Sequence, residues 1–335
     1  MRNINWYKWY LDNKPKYELL LNRVGGLTDI LLRREKIKFY KIQSRVKDFD
    51  SFEVKFSNKI YREPEDMTDF AGLRIVCYLL SDTEIISGVI QDNFEILKRE
   101  DKTNGYKAIH LDTTLKQERT LLPEYEQFAG LKFEIQVATI LQHAYAEIEH
   151  DRKYKRDDVL PQRLHDKFNL ISETLVKCDE DLEQITKEID NYDNEQTIAV
   201  DNSQLDTPID SPSLRRYLFK RFGDIPGFKA EYGSIKDREV IEDLYSMRIY
   251  TLAEFDKIIT VLNFKERYKK LPPSTYRIYA TGIVRWILII HDWERYFANA
   301  WNDSDGVFDM HDYNVFRGFG LDPSKFPEGV RWESD

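Results

Sequence analysis

Apolar positions near the amino terminus recur at helical spacing: Leu19, Leu20, Val24, Leu27, Ile30, Leu31 and Ile37. That spacing predicts helix over 3–44, broken at Gly25-Gly26. The pattern then changes. Residues 72–80 form a continuous apolar run and read as a strand. Residues 81–93 open on Ser-Asp-Thr-Glu, an N-cap signal, and read as a helix. Residues 94–97, 108–115 and 131–137 are further strand candidates. From 139 to 192 the chain reads as long helix, interrupted near Pro161. The sum is an α+β domain over 1–192, with a mixed β-sheet of four or five strands flanked by helices.

Residues 193–213 hold Asn, Asp, Ser, Thr and two prolines with little apolar periodicity, so a linker is expected there. Residues 214–335 are aromatic-rich and mostly helical in pattern. The clearest helices are 251–264 and 276–301, and an irregular tail is expected from 303. No internal repeat is visible.

With 335 residues, 41% of them hydrophobic and 13% aromatic, the chain can bury the cores of two domains. Met1 to Tyr10 has no apolar signal-peptide region, and the run around Ile287 to Ile290 is too short to span a membrane. Cys77 and Cys178 cannot build a disulfide framework, and Cys77 sits in an apolar run as a small core residue. The expectation is a reduced, cytoplasmic protein with no membrane partner.

Charge is unevenly distributed. The formal net charge is −9, yet residues 33–62 carry ten Lys/Arg against four Asp/Glu. Such an island is either a solvated face or a site for a polyanion such as a nucleoside triphosphate. Residues 179–210 are the reverse, with eleven acidic residues and one lysine. They read as a solvated helix face, or as an anionic mimic competing for the island.

Two carboxylates stand out. Asp69 lies at the entrance to the first apolar strand, in Asp-Phe-Ala-Gly-Leu-Arg. Glu134 lies inside the last, in Phe-Glu-Ile-Gln-Val, where alternation puts Glu134 and Gln136 on one face and Phe133, Ile135 and Val137 on the other. Such a pair can share one Mg²⁺ and leave coordination sites for phosphates. Between them, Gly105-Tyr106 follows a polar turn and reads either as a hairpin turn with a half-buried tyrosine or as an aromatic face for stacking on a base.

In this order the pieces resemble the RelA/SpoT-type nucleotide pyrophosphokinases, over residues 40–155. The resemblance rests on Arg45-x-Lys47-x-x-x-Ser51-x-x-x-Lys55, Asp69-Phe-Ala-Gly-Leu-Arg74, Gly105-Tyr106-x-x-x-His110, Glu134-x-Gln136-x-x-Thr139, and His143-Ala-Tyr-Ala-Glu147 with His150 and Tyr154-Lys155. It implies a nucleotidyltransferase-like sheet that moves the β,γ-pyrophosphate of ATP to a ribose 3′-hydroxyl. It also implies roles. Arg45, Lys47, Ser51 and Lys55 bind ATP, and Arg74 stacks on adenine or neutralises a phosphate. Asp69 and Glu134 position Mg²⁺, and Glu134 helps deprotonate the hydroxyl. Tyr106 stacks on the acceptor base, while Lys102, His110 and Gln136 meet the acceptor. Ala138 stands where the family usually has an arginine, one cation fewer on the acceptor side.

No hydrolase-type motif precedes this region. The dipeptides His165-Asp166, His291-Asp292 and His311-Asp312 lack the spaced partners of a metal phosphohydrolase. The added region over 214–335 resembles the fused toxin–antitoxin, CapRel-like branch. That branch implies transfer to the 3′ CCA end of tRNA, self-inhibition in which Tyr276-Arg-Ile-Tyr279 would plug the ATP site, and a phage protein as trigger. Arg152, Lys153, Lys155 and Arg156 would guide the polyanion, or equally form a solvated helix end. Two alternatives stand beside it: an alarmone synthetase acting on GTP or GDP, and a non-enzymatic nucleotide-binding regulator. Oligomeric state has no signature in the sequence.

Overall fold

In a computed structural model of the chain, residues 3–58, 61, 63–102, 107–154, 161–229, 234–271, 278–301 and 308–332 are described. They fall into two compact units, Met1–Lys187 and Glu188–Asp335.

The first unit runs α1 (Asn3–Arg34), β1 (Phe39–Val46), α2 (Phe49–Asn58), β2 (Ala71–Cys77), α3 (Leu80–Asn93), β3 (Phe94–Lys102), β4 (Ala108–Leu115), the single turn α4 (Gln117–Thr120), β5 (Phe133–Thr139) and α5 (Ile140–Tyr154). It closes with α6 (Gln162–Asp201), within which the division between units falls. The five strands are ordered β1-β2-β5-β4-β3, with β2 and β5 parallel and the other pairs antiparallel.

The helix expected over 3–44 ends at Arg34, and β1 takes over from Phe39. Helical periodicity was carried too far, because Tyr40, Ile42, Ser44 and Val46 alternate with Lys41, Gln43 and Arg45 in the manner of a strand. Nor does Gly25-Gly26 break α1. The helix runs through both glycines from Asn3 to Arg34, and a Cβ on Gly25 would stand at ordinary contact distance, 3.5 Å, from Leu73 of β2. Tyr10, Tyr17, Leu20, Val24 and Leu31 form the buried stripe of α1.

One sheet face is apolar. Leu73, Ile75, Phe133, Ile135, Val137, Ile109 and Leu111 pack there with α1 and with Ile86 and Ile90 of α3. The opposite face is polar, and strand register aligns it in rows. Arg45 is opposite Gly72, Gly72 opposite Glu134, and Glu134 opposite Asp112. In the next row Gln43, Arg74, Gln136 and His110 follow one another across four strands.

The second unit holds α7 (Ser211–Phe222), β6 (Phe228–Lys229), α8 (Ser234–Ser246), α9 (Leu252–Leu262), α10 (Phe264–Tyr268), β7 (Ile278–Tyr279), α11 (Ala280–Asn299) and α12 (Met310–Gly318). Side-chain caps start α7, α9 and α12 at Asp210, Thr251 and Asp309. Phe222, Phe255, Phe264, Tyr296 and Phe316 fill its core with Ile283 and Ile287 of α11. Two expectations need correction. The linker region is helical up to Asp201, and the tail contains α12, whose Asp309–Asp312 capping box was overlooked. Among the described residues no helix is long and apolar enough to cross a membrane.

Candidate active site

The polar sheet face and α2 enclose a cleft of about 550 Å³. Arg45, Lys47, Ser51, Lys55, Asp69, Arg74, Glu134 and Gln136, all named from the sequence, line it together. Each is held by local chain geometry. Arg45 leaves β1 and its guanidinium reaches Asp48 at 3.4 Å. Asp48 in turn accepts the Ser51 N–H at 2.8 Å and starts α2. Lys55 lies one turn further along that helix.

Asp69 sits in the tight turn Thr68–Phe70 before β2. Phe70 anchors the turn. It is fully buried and meets Tyr17 at 5.0 Å, Trp9 at 5.1 Å and Phe52 at 5.6 Å between ring centroids. Asp69 Oδ2 pairs with the Lys55 ammonium and with Lys47 Nζ at 3.2 Å. Its other oxygen, Oδ1, is buried without a hydrogen-bond partner.

Glu134 occupies the centre of the sheet. Its Oε1 accepts from His110 Nδ1 at 2.9 Å, and its Oε2 accepts from Gln136 Nε2 at 2.5 Å. Burial pushes its carboxyl up. The His110 hydrogen bond and charge, the Gln136 bond and the nearby Lys55 ammonium outweigh burial and leave it below the usual carboxylate range. Gln136 Oε1 accepts from Arg74 Nε at 3.0 Å. Arg74 Nη1 then donates to Glu147 Oε1 at 2.5 Å and to His143 Nδ1 at 3.2 Å. Burial, with Lys41 and Arg74 nearby, lowers the His143 pKa and keeps the ring neutral to accept that bond. One chain of polar contacts thus runs from His110 through Glu134, Gln136 and Arg74 to α5.

The donor set fits a magnesium ion. The free Oδ1 of Asp69 is a buried anionic oxygen, Glu134 lines the same cleft, and no third His, Cys, Asp or Glu joins them in a metal-type cluster among the described residues. Magnesium keeps most of its shell for water and phosphate, so two protein carboxylates suffice. The two lysines now on Asp69 supply the positive charge that this oxygen pair attracts.

Other expectations lie elsewhere. His110 acts on Glu134 and does not line the cleft. Lys102 pairs with Glu100 on the edge strand β3. Tyr106, Tyr276, Lys155 and Arg156 fall outside the described residues, as do the side chains of Arg152 and Lys153. Tyr279 is exposed on β7. Of the His-Asp dipeptides, His311-Asp312 is engaged within the second unit: His311 meets the Tyr268 hydroxyl at 3.1 Å, and Asp312 accepts from Trp286 Nε1 at 2.6 Å.

Gln43, Glu147 and His150 also line the cleft, and sequence reading gave them no role. Gln43 was hidden by the missed strand. Glu147 and His150 lie four and seven residues after His143, the spacing of one helix face.

Comparison with known proteins follows the same residues. A family profile described as "Region found in RelA / SpoT proteins" matches residues 44–159. GTP pyrophosphokinase YwaC of Bacillus subtilis (strain 168) is 32% identical over 160 residues, 44% of this chain and 74% of that protein. GTP pyrophosphokinase YjbM of the same organism is 29% identical over 192 residues, 54% of this chain and 77% of that protein. Among solved structures, small alarmone synthetase 2 from Bacillus subtilis is 28% identical, with a TM-score of 0.47, covering 53% of this chain and 99% of that one. Similarity of this extent, centred on the residues that build the cleft, makes the chain a member of the RelA/SpoT family of nucleotide pyrophosphokinases.

Proposed function

We propose that this cleft transfers the β,γ-diphosphate of ATP to the 3′-hydroxyl of a guanine nucleotide. The observation that carries the reading is the convergence of Arg45, Lys47 and Lys55 with Asp69 and Glu134 on one cavity. Phosphoryl-type transfer needs positioning and charge neutralisation more than covalent help, and this set supplies both. The relatives' names, both GTP pyrophosphokinases, support a guanine nucleotide as acceptor over the 3′ CCA end of tRNA.

In this reading the ATP phosphates lie against Arg45, Lys47, Ser51 and Lys55. Asp69 Oδ1 and Glu134 hold the Mg²⁺, which when bound offsets charge on the transferred group. The acceptor 3′-oxygen attacks the β-phosphorus. The bond from that phosphorus to the α–β bridging oxygen breaks, and AMP leaves with the oxygen. Glu134, held ionised at neutral pH, orients the hydroxyl, and the proton that the hydroxyl loses passes on to solvent rather than staying on this carboxylate. Arg74, fixed by Gln136 and Glu147, presents a rigid guanidinium to a base or phosphate. Tyr106 stacks on the acceptor base, with Lys102 near its phosphates.

Residues 1–192 carry the transferase and 214–335 a regulatory region that restrains it. The second part rests on the resemblance to fused toxin–antitoxin proteins, as does a phage protein as its trigger.

The test is incubation with γ-labelled ATP and Mg²⁺, with GTP, GDP or deacylated tRNA in separate reactions. Label on a guanine nucleotide is expected. Label on tRNA alone would reassign the acceptor, and no transfer to any of the three would end the enzymatic reading.

A further inference from the structure

The structure assigns Asp179 a positioning role: from α6, through Gln142, it sets where Lys107 leads into β4, the strand that carries His110. This inference rests on the transfer reaction proposed above. Asp179 is only 3% exposed and has no cation in direct contact among the described residues. A carboxylate buried in that way is costly unless hydrogen bonds compensate it. Two do. Its Oδ2 accepts from Thr139 Oγ1 and from Gln142 Nε2, each at 2.9 Å.

Gln142 is 1% exposed, and its Oε1 accepts the backbone N–H of Lys107 at 2.9 Å. An amide has one donating and one accepting end. The Asp179 carboxylate takes the donating end, so the accepting end must face Lys107. A flipped amide would set two oxygens against each other and leave the Lys107 N–H unmatched. Asp179 therefore decides which way Gln142 faces, and Gln142 decides where Lys107 sits.

Lys107 follows Gly105-Tyr106 directly in the chain and leads into β4. Three residues later β4 delivers His110, whose ring holds Glu134. Thr139, the other partner of Asp179, closes β5 and accepts the Gln142 N–H at 3.3 Å, capping α5. One carboxylate thus reaches the end of the strand bearing Glu134, the start of the helix bearing His143 and Glu147, and the entry to the strand bearing His110. Its neighbours on α6 reinforce the seam. Glu180 lies 3.9 Å from Lys107 Nζ, and Glu183 accepts from the Ser81 N–H and hydroxyl at 3.1 and 2.9 Å.

The effect is confined to one side. The residues assigned to ATP are on β1, on α2 and in the segment between them, and the strand order puts β2 between β1 and the β5–β4 pair that Asp179 serves. Loss of the relay should loosen the acceptor side and spare ATP binding.

The full-length chain tests this with Asp179→Asn, Asp179→Leu and Gln142→Leu. Asparagine keeps an oxygen that can accept both bonds, and leucine keeps bulk without an acceptor. Two readouts are needed: KM for each substrate, and exchange of the Lys107 amide hydrogen followed by NMR. Asp179→Leu and Gln142→Leu are expected to raise the acceptor KM about tenfold with KM for ATP within twofold. They should also speed Lys107 exchange about tenfold, while Asp179→Asn restores both. A parallel rise in both KM values, or unchanged exchange at Lys107 in the leucine variants, would overturn the assignment. If the parent chain transfers to no acceptor, the reaction reading fails, and Lys107 exchange still decides the relay.

Discussion

Lys55 and Asp69 are ion-paired inside the cleft, and Lys47 shares the same carboxylate oxygen at 3.2 Å. The pairing leaves Asp69 Oδ1 as the uncommitted oxygen. Two ammonium groups, each about a quarter exposed, thus share that one carboxylate oxygen. Asp69→Asn should therefore separate binding from chemistry. Removing the charge proposed to hold the metal is expected to lower kcat by about 10³-fold. ATP affinity should hold or tighten, because both lysines lose the negative charge of Asp69. Single-turnover transfer and equilibrium binding of a non-hydrolysable ATP analogue measure the two effects. An Asp69→Asn protein with normal kcat would remove the residue from its role.

Glu134 gives a pH prediction. Its folded pKa lies below the ordinary carboxylate value, so the fold favours the ionised form. That contribution is present above the ordinary carboxylate range and is lost as pH falls through the lowered folded value. His110→Leu removes the hydrogen bond and charge that oppose burial. The acid limb of the pH–rate profile should then move to higher pH, with the neutral plateau reduced. An acid limb identical to the parent's would show that His110 does not set this carboxylate.

Phe70 links the site to the core. Its ring is fully buried against Tyr17, Trp9 and Phe52, and the next residue back is Asp69. Phe70→Ala should destabilise the first unit by about 3–5 kcal/mol through lost burial and the cavity left behind. Transfer at a temperature where the variant remains folded should also fall, since the turn carrying Asp69 loses its anchor. Denaturant unfolding and activity on the same sample check both outcomes. Normal activity in a folded but destabilised variant would confine Phe70 to stability.

The regulatory proposal predicts a growth phenotype. Expression of residues 1–201, which keeps α6 whole, should inhibit growth more strongly than expression of the full chain. Tyr279→Ala in the full chain should move it toward the shorter form. Equal growth of strains making the two lengths at matched protein levels would count against restraint by the second part.

Much of the cleft was legible before any fold was known, because its chemistry is carried by charges at fixed spacings. Ten basic residues in an acidic chain admitted two readings, a solvated face or a polyanion site, and the two carboxylates set in apolar strand contexts favoured the second. Strand alternation placed Glu134 and Gln136 on one face and Phe133, Ile135 and Val137 on the other, and the sheet shows that division. The helix of 81–93 and the strand of 108–115 likewise follow local periodicity, although the helix begins at Leu80, with Leu79 rather than Ser81 at its N-cap.

Tertiary structure decided the rest. The alternation over 40–46 marks a strand locally, but which edge it pairs with, β2, is decided only by contacts distant in sequence. The same pairing brought Gln43 into the cleft. Asp179 read as one acid in a solvated run of eleven, and only packing of α6 at the β5–α5 junction buried it on Thr139 and Gln142. Periodicity fixes which way a side chain points from its own element. Which partner lies there is fixed by contacts distant in sequence, as for Asp179 and Lys107, joined through one buried amide.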